Sequence, residues 1–213
     1  IKNNLQFVEH NVEQEKEKES IKIKFNIYEG EKVLVERINI LGNNITNESV
    51  IRGELLLDEG DPFTNINLEK SISKIKSRNI FASVKYNVSN GSSSDLKVID
   101  IEVEERATGE LSAGAGVGTN GGNVALSVTE NNWLGKGHSL SFNIDASAES
   151  LSGNLNYTNP NYDFLGNAIN YSISSTKNDK PDQGYENSIT SLGIGTRFEQ
   201  YKDLFTSLGV QAS

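Results

Sequence analysis

The sequence predicts an α+β module of order β-α-α-β-β followed by an incomplete antiparallel transmembrane β-barrel of about seven strands. Two observations predict this fold, and both change near Arg106. Residues 1–106 hold 34 charged residues and 5 glycines, whereas residues 107–213 hold 15 and 14. From Gly109 onward small or polar residues alternate with apolar ones, which is typical of strands with one apolar face. We therefore expect a water-soluble arm joined to a polar-lumen barrel.

Composition excludes several classes of protein. The formal net charge is −9, and no dense Lys/Arg cluster is present that could neutralise a nucleic-acid backbone. Cysteine is absent, which excludes disulfides and cysteine metal sites. No apolar run approaches the roughly 18 residues of a membrane helix, so any crossing must use strands. Because the sequence lacks methionine and starts within a strand pattern, we expect a piece of a longer chain.

The arm is predicted to begin with a hairpin, interpreted as the end of a preceding module over residues 1–29. Its strands are expected at 5–12 and 20–28, with a charged turn at 13–19. The apolar positions of the second strand, from Ile23 onward, recur 76 positions later from Ile99 onward. This spacing indicates a tandem repeat of modules.

Residues 30–106 are predicted to form the last complete module of the arm. Its first helix would start at a Thr46 or Asn47 cap and run to about Leu57. Its second helix is expected because Leu68, Ile72 and Ile75 form one stripe. In order, the elements are a strand at 33–41, the first helix, the second helix at 65–78, and strands at 81–88 and 96–104.

Residues 107–213 are predicted to form the N-terminal part of the barrel. The alternation places strands at 109–118, 123–130, 138–148, 151–159, 167–175, 186–198 and 203–213. The apolar set expected to face lipid is Val124, Leu126, Val128, Leu140, Phe142, Ile144, Leu155, Tyr157, Ile169, Tyr171, Ile173, Leu192, Ile194, Phe198, Leu208 and Val210. Trp133, Tyr162 and Phe164 lie at predicted turns, which is typical of an aromatic girdle.

Four stretches, at 35–46, 50–55, 104–109 and 131–137, resemble the BamA family of outer-membrane protein assembly factors. The first two are similar to its last POTRA (polypeptide-transport-associated) module, the third to the junction with the barrel, and the fourth to the second barrel turn. The resemblance implies insertion of β-barrel proteins into the bacterial outer membrane, with the arm in the periplasm and a complete barrel of about sixteen strands. It also implies unfolded outer-membrane clients, periplasmic accessory lipoproteins and membrane lipid as partners.

The first barrel strand is a candidate lateral gate, where a client strand could add by hydrogen bonding. This role is implied by the resemblance, and glycines that weaken the strand support it. The alternative is an ordinary small-residue strand packed against a bulky neighbour. The gate residues are Gly109, Leu111, Ala113, Gly114, Ala115, Gly116, Val117 and Gly118.

Arg52 and Glu54 are candidates for docking an accessory lipoprotein, because the first helix resembles the docking surface of the family. Gly53 stands where relatives often carry Arg, which would weaken the contact. The alternative is a solvated helix face, as for most exposed charges.

Catalysis is not expected, and neither is a cofactor or a metal ion. The only histidines are His10 and His138, and no hydrolase, zinc or phosphate-loop motif is present. Ser139 follows His138, but neighbours in a strand point to opposite faces. Other interpretations are a two-partner secretion or autotransporter-assembly pore of the same superfamily, and a passive porin-like barrel, which would leave the arm without a purpose.

Overall fold

The computed structural model describes residues 8–16, 21–29, 32–118, 121–163, 165–201 and 204–213. The chain divides into two compact units. The first comprises residues 1–42, 54–77 and 83–103, and the second comprises residues 43–53, 78–82 and 104–213. Three short segments of the predicted arm, 43–53, 78–82 and 104–106, therefore cluster with the strands of the predicted barrel.

Strands dominate both units. In chain order, the elements are β1 (Val8–Lys16), β2 (Ile21–Glu29), β3 (Leu34–Leu41), α1 (Glu48–Arg52), α2 (Asn65–Ser77), β4 (Phe81–Asn90), β5 (Leu96–Glu105), β6 (Gly109–Gly118), β7 (Gly121–Trp133), β8 (His138–Ser147), β9 (Ser150–Asn159), β10 (Ala168–Lys180), β11 (Tyr185–Tyr201) and β12 (Leu204–Ala212). Neither helix of the described residues is long and apolar enough to cross a membrane.

The first unit contains the predicted hairpin, formed by β1 and β2 in antiparallel register. The expectation of a charged turn at 13–19 was wrong over residues 13–16, which continue β1. Glu13 is held there because its carboxylate accepts a hydrogen bond from Asn26 and lies 3.6 Å from the Lys24 ammonium. Opposite charges across a strand pair stabilise the ladder, and charge alone is therefore a poor turn signal. Residues 5–7 of the first predicted strand, 17–19 of the predicted turn and residue 20 of the second predicted strand lie outside the described residues.

The core of the first unit is aliphatic. A three-stranded sheet has the order β3-β5-β4, with β3 and β5 parallel. Ile38 of β3 and Ile99 of β5 are both buried, and so are Leu68 and Ile75 of α2. The helical stripe and the strand alternation predicted from the sequence therefore identify the buried faces correctly.

The seven strands of the second unit form one antiparallel meander in which each strand pairs with the next. Phe142 on β8 lies opposite both Val128 and Leu155. Ile173 on β10 lies opposite both Leu155 and Leu192. Directly opposed residues share a face of the sheet, so the predicted apolar set forms one continuous surface. We call this surface, which extends to Leu111 on β6, the apolar band.

The other face of the meander is polar. Ser127 lies opposite Asn143, and their side chains hydrogen-bond at 2.6 Å. Asn143 in turn lies opposite Asn154. The two faces therefore differ in polarity as the sequence alternation predicts.

Several predicted boundaries were too short. The strand expected at 167–175 continues to Lys180 and the strand expected at 186–198 spans 185–201. Polar pairs extend this ladder, since the Lys177 ammonium lies 2.6 Å from the Glu186 carboxylate. The alternation of apolar residues stops before the backbone pairing does, which explains the error.

The first predicted helix was too long. It ends at Arg52 instead of Leu57, because Gly53 closes it with its N–H bonded to the Ser49 carbonyl at 2.9 Å. Asn47, one of the two predicted caps, occupies the N-cap position, but its side chain forms no cap bond. Glu54 consequently lies beyond the helix.

Candidate functional site

The candidate site is the first strand of the meander, β6, together with the residues that hold its start. β6 pairs with β7 on one side and forms one edge of the described sheet. Its apolar side chains are open to the surroundings, with Leu111 77% and Val117 93% exposed. An edge strand offers unpaired backbone groups to a further strand.

The glycines of β6 do not share one role. A Cβ at Gly116 would come within 2.6 Å of Asn123 Oδ1, so a side chain there would displace Asn123. A Cβ at Gly114 or Gly118 would meet nothing within 4 Å. No steric contact therefore requires glycine at position 114 or 118. Glycine at these positions weakens the strand because it provides no side chain to pack.

The start of β6 is tied to the end of β7. The Thr108 hydroxyl donates to Oε1 of Glu130, and the same oxygen accepts the Asn132 N–H at 2.7 Å. Asn131 donates its N–H to the Thr108 carbonyl at 3.3 Å. These bonds fix the base of the edge strand, whereas the described residues of its other end pair with β7.

Glu105, just before β6, binds a loop of the second unit through its carboxylate. The backbone N–H groups of Asn44, Ile45 and Thr46 donate to it at 3.0, 2.9 and 2.6 Å. Burial alone would raise the pKa of Glu105, but the bonds from the Thr46 hydroxyl and from these N–H groups outweigh it and lower the pKa. The carboxylate is therefore stabilised in its charged form.

Thr46 continues these contacts into the turn between β7 and β8. Its Oγ1 accepts a hydrogen bond of 2.9 Å from the Asn132 side-chain amide. Asn132 Oδ1 in turn accepts the Gly137 N–H at 2.7 Å. Thr46 and Asn132 are 2% and 8% exposed, so losing either partner would leave buried polar groups unpaired. We call Glu105, Thr46 and Asn132 the junction network.

The turn at 134–137 contains two glycines with left-handed backbone angles, and one of them lies very close to the backbone of segment 43–53. Gly135 and Gly137 have φ angles of +70° and +66°. A Cβ on Gly135 would lie 2.1 Å from the Ile45 carbonyl oxygen, which no side chain permits. The Gly135 carbonyl accepts the Asn47 N–H at 2.8 Å. Gly135 therefore allows segment 43–53 to pack on the turn within the second unit.

An open cavity of about 570 Å³ adjoins the junction network. Its lining residues include Glu105, Trp133, and Thr108 and Gly109 at the base of β6. It joins polar groups to an aromatic side chain.

Two of the three residues of the predicted aromatic girdle lie within the described part of the chain. Trp133 ends β7 and is 40% exposed, and Tyr162 lies in the turn after β9 and is 47% exposed. Phe164 lies outside the described residues.

The two predicted docking residues differ in accessibility. Arg52, in the second unit, forms an exposed ion pair of 2.6 Å with Glu48 in α1. Glu54, in the first unit, is only 9% exposed, and its carboxylate lies 3.5 Å from the Lys74 ammonium. The expectation that both lie on one exposed helix face was wrong, because the helix ends between them.

His138 and Ser139 do not form a pair. The imidazole Nδ1 of His138 lies 2.5 Å from the Tyr157 hydroxyl, and Ser139 Oγ lies 3.4 Å from Asn131 Oδ1. No group of three or more His, Cys, Asp or Glu residues suited to a metal ion occurs among the described residues.

Sequence reasoning missed the junction network. Glu105 and Asn132 entered only as parts of longer motifs, and Thr46 only as a possible cap. Their partners lie 59 to 86 positions away in the chain. The one local signal was the presence of two glycines in the 134–137 turn.

Two family models match the chain. "POTRA: Surface antigen variable number repeat" matches residues 33–106, and "Omp85 superfamily domain" matches residues 132–211. Among solved structures, BamA from Haemophilus ducreyi lacking POTRA domains 1–3 is similar with a TM-score of 0.74 at 22% identity, over 96% of this chain and 40% of that one. CdiB from Acinetobacter baumannii is similar with a TM-score of 0.57 at 12% identity, over 92% and 39%.

Curated relatives give the same picture. The outer membrane protein assembly factor BamA of Neisseria meningitidis serogroup B is 26% identical over 199 residues, or 92% of this chain and 24% of that protein. The putative outer membrane protein assembly factor of Treponema pallidum is 34% identical over 145 residues, or 65% and 17%. The chain thus spans about a quarter or less of the length of these two relatives.

The junction network predicts a pH dependence. Because the pKa of Glu105 is lowered, the stability that its carboxylate contributes is complete above the unfolded-state pKa of about 4.3 and is lost as pH falls through the folded-state pKa. We expect the Ile45 and Thr46 amide NMR signals to shift as pH falls below about 4. Glu105→Gln should abolish this titration and cost about 1 kcal/mol at neutral pH, given the partial exposure of the group.

Glu102→Gln is the matched control, since Glu102 lies on the same strand and is exposed. It should leave the titration of the two amides intact. An unchanged titration in Glu105→Gln would contradict the assignment of these hydrogen bonds.

Proposed function

Because this chain belongs to the outer-membrane proteins that join a POTRA module to an Omp85 barrel, we propose that it assembles β-barrel proteins into the outer membrane. The arm receives unfolded clients in the periplasm, and β6 acts as a lateral-gate template for the incoming strand. The open edge of β6 carries this proposal. The chemistry required is hydrogen bonding alone, and we propose that the protein is not an enzyme.

The physical basis is the lack of water inside a bilayer. An unpaired backbone N–H or C=O costs several kcal/mol there, so a client strand gains strongly from any available edge. β6 offers such an edge, with small side chains that allow close approach of a second backbone. Its base is fixed by Thr108 and Glu130, which would hold the template in place while its partner changes.

Names of relatives favour assembly over secretion. The curated relatives cited above are described as assembly factors, whereas CdiB, a secretion-type pore, matches in fold at 12% identity. A two-partner secretion pore would pass its substrate through the lumen, along the polar face that carries Asn143. The secretion alternative therefore predicts substrate contacts on the polar face instead of at β6.

Docking of a periplasmic accessory lipoprotein is proposed for the α1 surface at Arg52. The Arg52 side chain is 38% exposed and carries a charge that a partner carboxylate could bind after displacing Glu48. Glu54 would contribute only indirectly to docking. Its carboxylate is buried beside the Lys74 ammonium and does not face solvent.

A photo-crosslinking side chain at Ala113 in β6 tests the gate. We expect crosslinks to an unfolded outer-membrane client several-fold above those from the same group at Ile173, which lies on the same face but in a strand paired on both sides. The secretion alternative instead predicts crosslinks from Asn143 on the polar face to a translocating substrate. Equal client yields at Ala113 and Ile173 would contradict the gate.

Charge reversal tests the docking surface. Arg52→Glu should reduce co-purification of the accessory lipoprotein several-fold with little loss of stability, since an exposed ion pair contributes at most about 1 kcal/mol. Lys85→Glu, at an exposed position on β4, is the control and should have no effect. Unchanged co-purification with Arg52→Glu would remove the proposal.

A further inference from the structure

Near the 134–137 turn, the apolar band ends in aromatic and basic side chains. Trp133 lies directly opposite His138 across the β7–β8 pair, so both share the face of the band. The Tyr157 ring meets the His138 ring edge-on at 5.5 Å between centroids, and its hydroxyl bonds to His138 Nδ1. Tyr171 continues the aromatic row, at 6.3 Å from Tyr157.

Two cationic side chains flank these rings. Arg78, in the second unit, donates from Nη2 to the Gly137 carbonyl at 2.6 Å, which anchors its guanidinium at the turn. Lys136 lies in the turn itself and is exposed. Lys136 lies two positions before His138 in the chain, and Arg78 is bonded to Gly137, the residue next to His138. Within the described part of the chain, Lys136 forms no ion pair with a carboxylate.

Glu130 is an acid on the same face, opposite Leu140. Its carboxylate already accepts hydrogen bonds from the Thr108 hydroxyl and the Asn132 N–H. Among the described residues, the charge of Lys136 is therefore available to a ligand. We call Arg78, Trp133, Lys136, His138 and Tyr157 the basic rim.

We propose that the basic rim binds the phosphate of an anionic phospholipid, with the acyl chains along Leu140 and Phe142 of the apolar band. Trp and Tyr rings favour the boundary between hydrocarbon and head groups, where they present one apolar and one polar side. Basic side chains at that boundary attract anionic head groups. The proposal needs only the outer-membrane location of the barrel and stands apart from client assembly.

A lipid fits the rim better than soluble phosphate does. The cations adjoin an exposed aliphatic and aromatic surface, in which Phe142 is 44% and Leu155 is 37% exposed. A ligand that covers both parts must be amphipathic. Inorganic phosphate would use the cations alone and leave the apolar surface uncovered.

Trp133 provides the measurement, since it is the single tryptophan of this sequence. The protein is reconstituted in vesicles, and quenching of Trp133 fluorescence is compared for bromine-labelled phosphatidylglycerol and bromine-labelled phosphatidylcholine with identical chains. We expect the anionic lipid to be preferred about five-fold per basic side chain that contributes. Lys136→Gln should lower this preference about five-fold, and 1 M salt should lower it as well.

Lys85→Gln, which removes an exposed lysine elsewhere, is the control and should leave the preference unchanged. Arg78→Gln should act like Lys136→Gln, and the Lys136 variant decides if the Arg78 variant fails to fold. Equal quenching by the two lipids, or equal behaviour of Lys136→Gln and Lys85→Gln, would overturn the proposal. Displacement of the anionic lipid by millimolar inorganic phosphate would overturn the assignment to a lipid.

Discussion

Hydrocarbon cannot hydrogen-bond to a backbone, and this constraint explains most features of the second unit. Each strand from β7 to β11 is paired on both sides, in chain order and in antiparallel register. Side chains then follow from the pleat, with Phe142 and Ile173 on the apolar band and Ser127 and Asn143 on the polar face. β6 and β12 are the two edges of the described sheet, where the constraint is not met within these residues.

The junction network lies where the chain passes from elements that bury their apolar side chains to strands that expose them. Before it, the chain buries apolar side chains away from water, as Ile99 and Ile101 do. After it, apolar side chains of β6 face outward. Glu105, Thr46 and Asn132 satisfy one another and the backbone of segment 44–46, so this transition leaves no buried side-chain N or O atom unpaired among the described residues. A fixed base for β6 would suit the template role that we propose for it.

The sequence predicted the features that repeat with a period and missed those that depend on contacts between distant residues. Alternation identified every strand of the meander and the face of the apolar band. It missed the polar extension of β10 beyond Ser175, because Lys177 and Asn178 pair through charge and amide groups. Glu54 was also expected on an exposed helix. Gly53 ends that helix, and Lys74 holds the Glu54 carboxylate in a buried position. The Thr46–Asn132 bond joins residues 86 positions apart, which no local pattern indicates.

We infer that the apolar band faces lipid while the opposite face lines an aqueous lumen. The absence of cysteine from the sequence permits a direct measurement with single cysteines at Leu126, Ser127, Phe142 and Asn143. In vesicles, a charged water-soluble thiol reagent should label the cysteines at 127 and 143 and spare those at 126 and 142, whereas a membrane-soluble reagent should show the reverse. Labelling of all four positions by the water-soluble reagent would show that the apolar band does not face lipid.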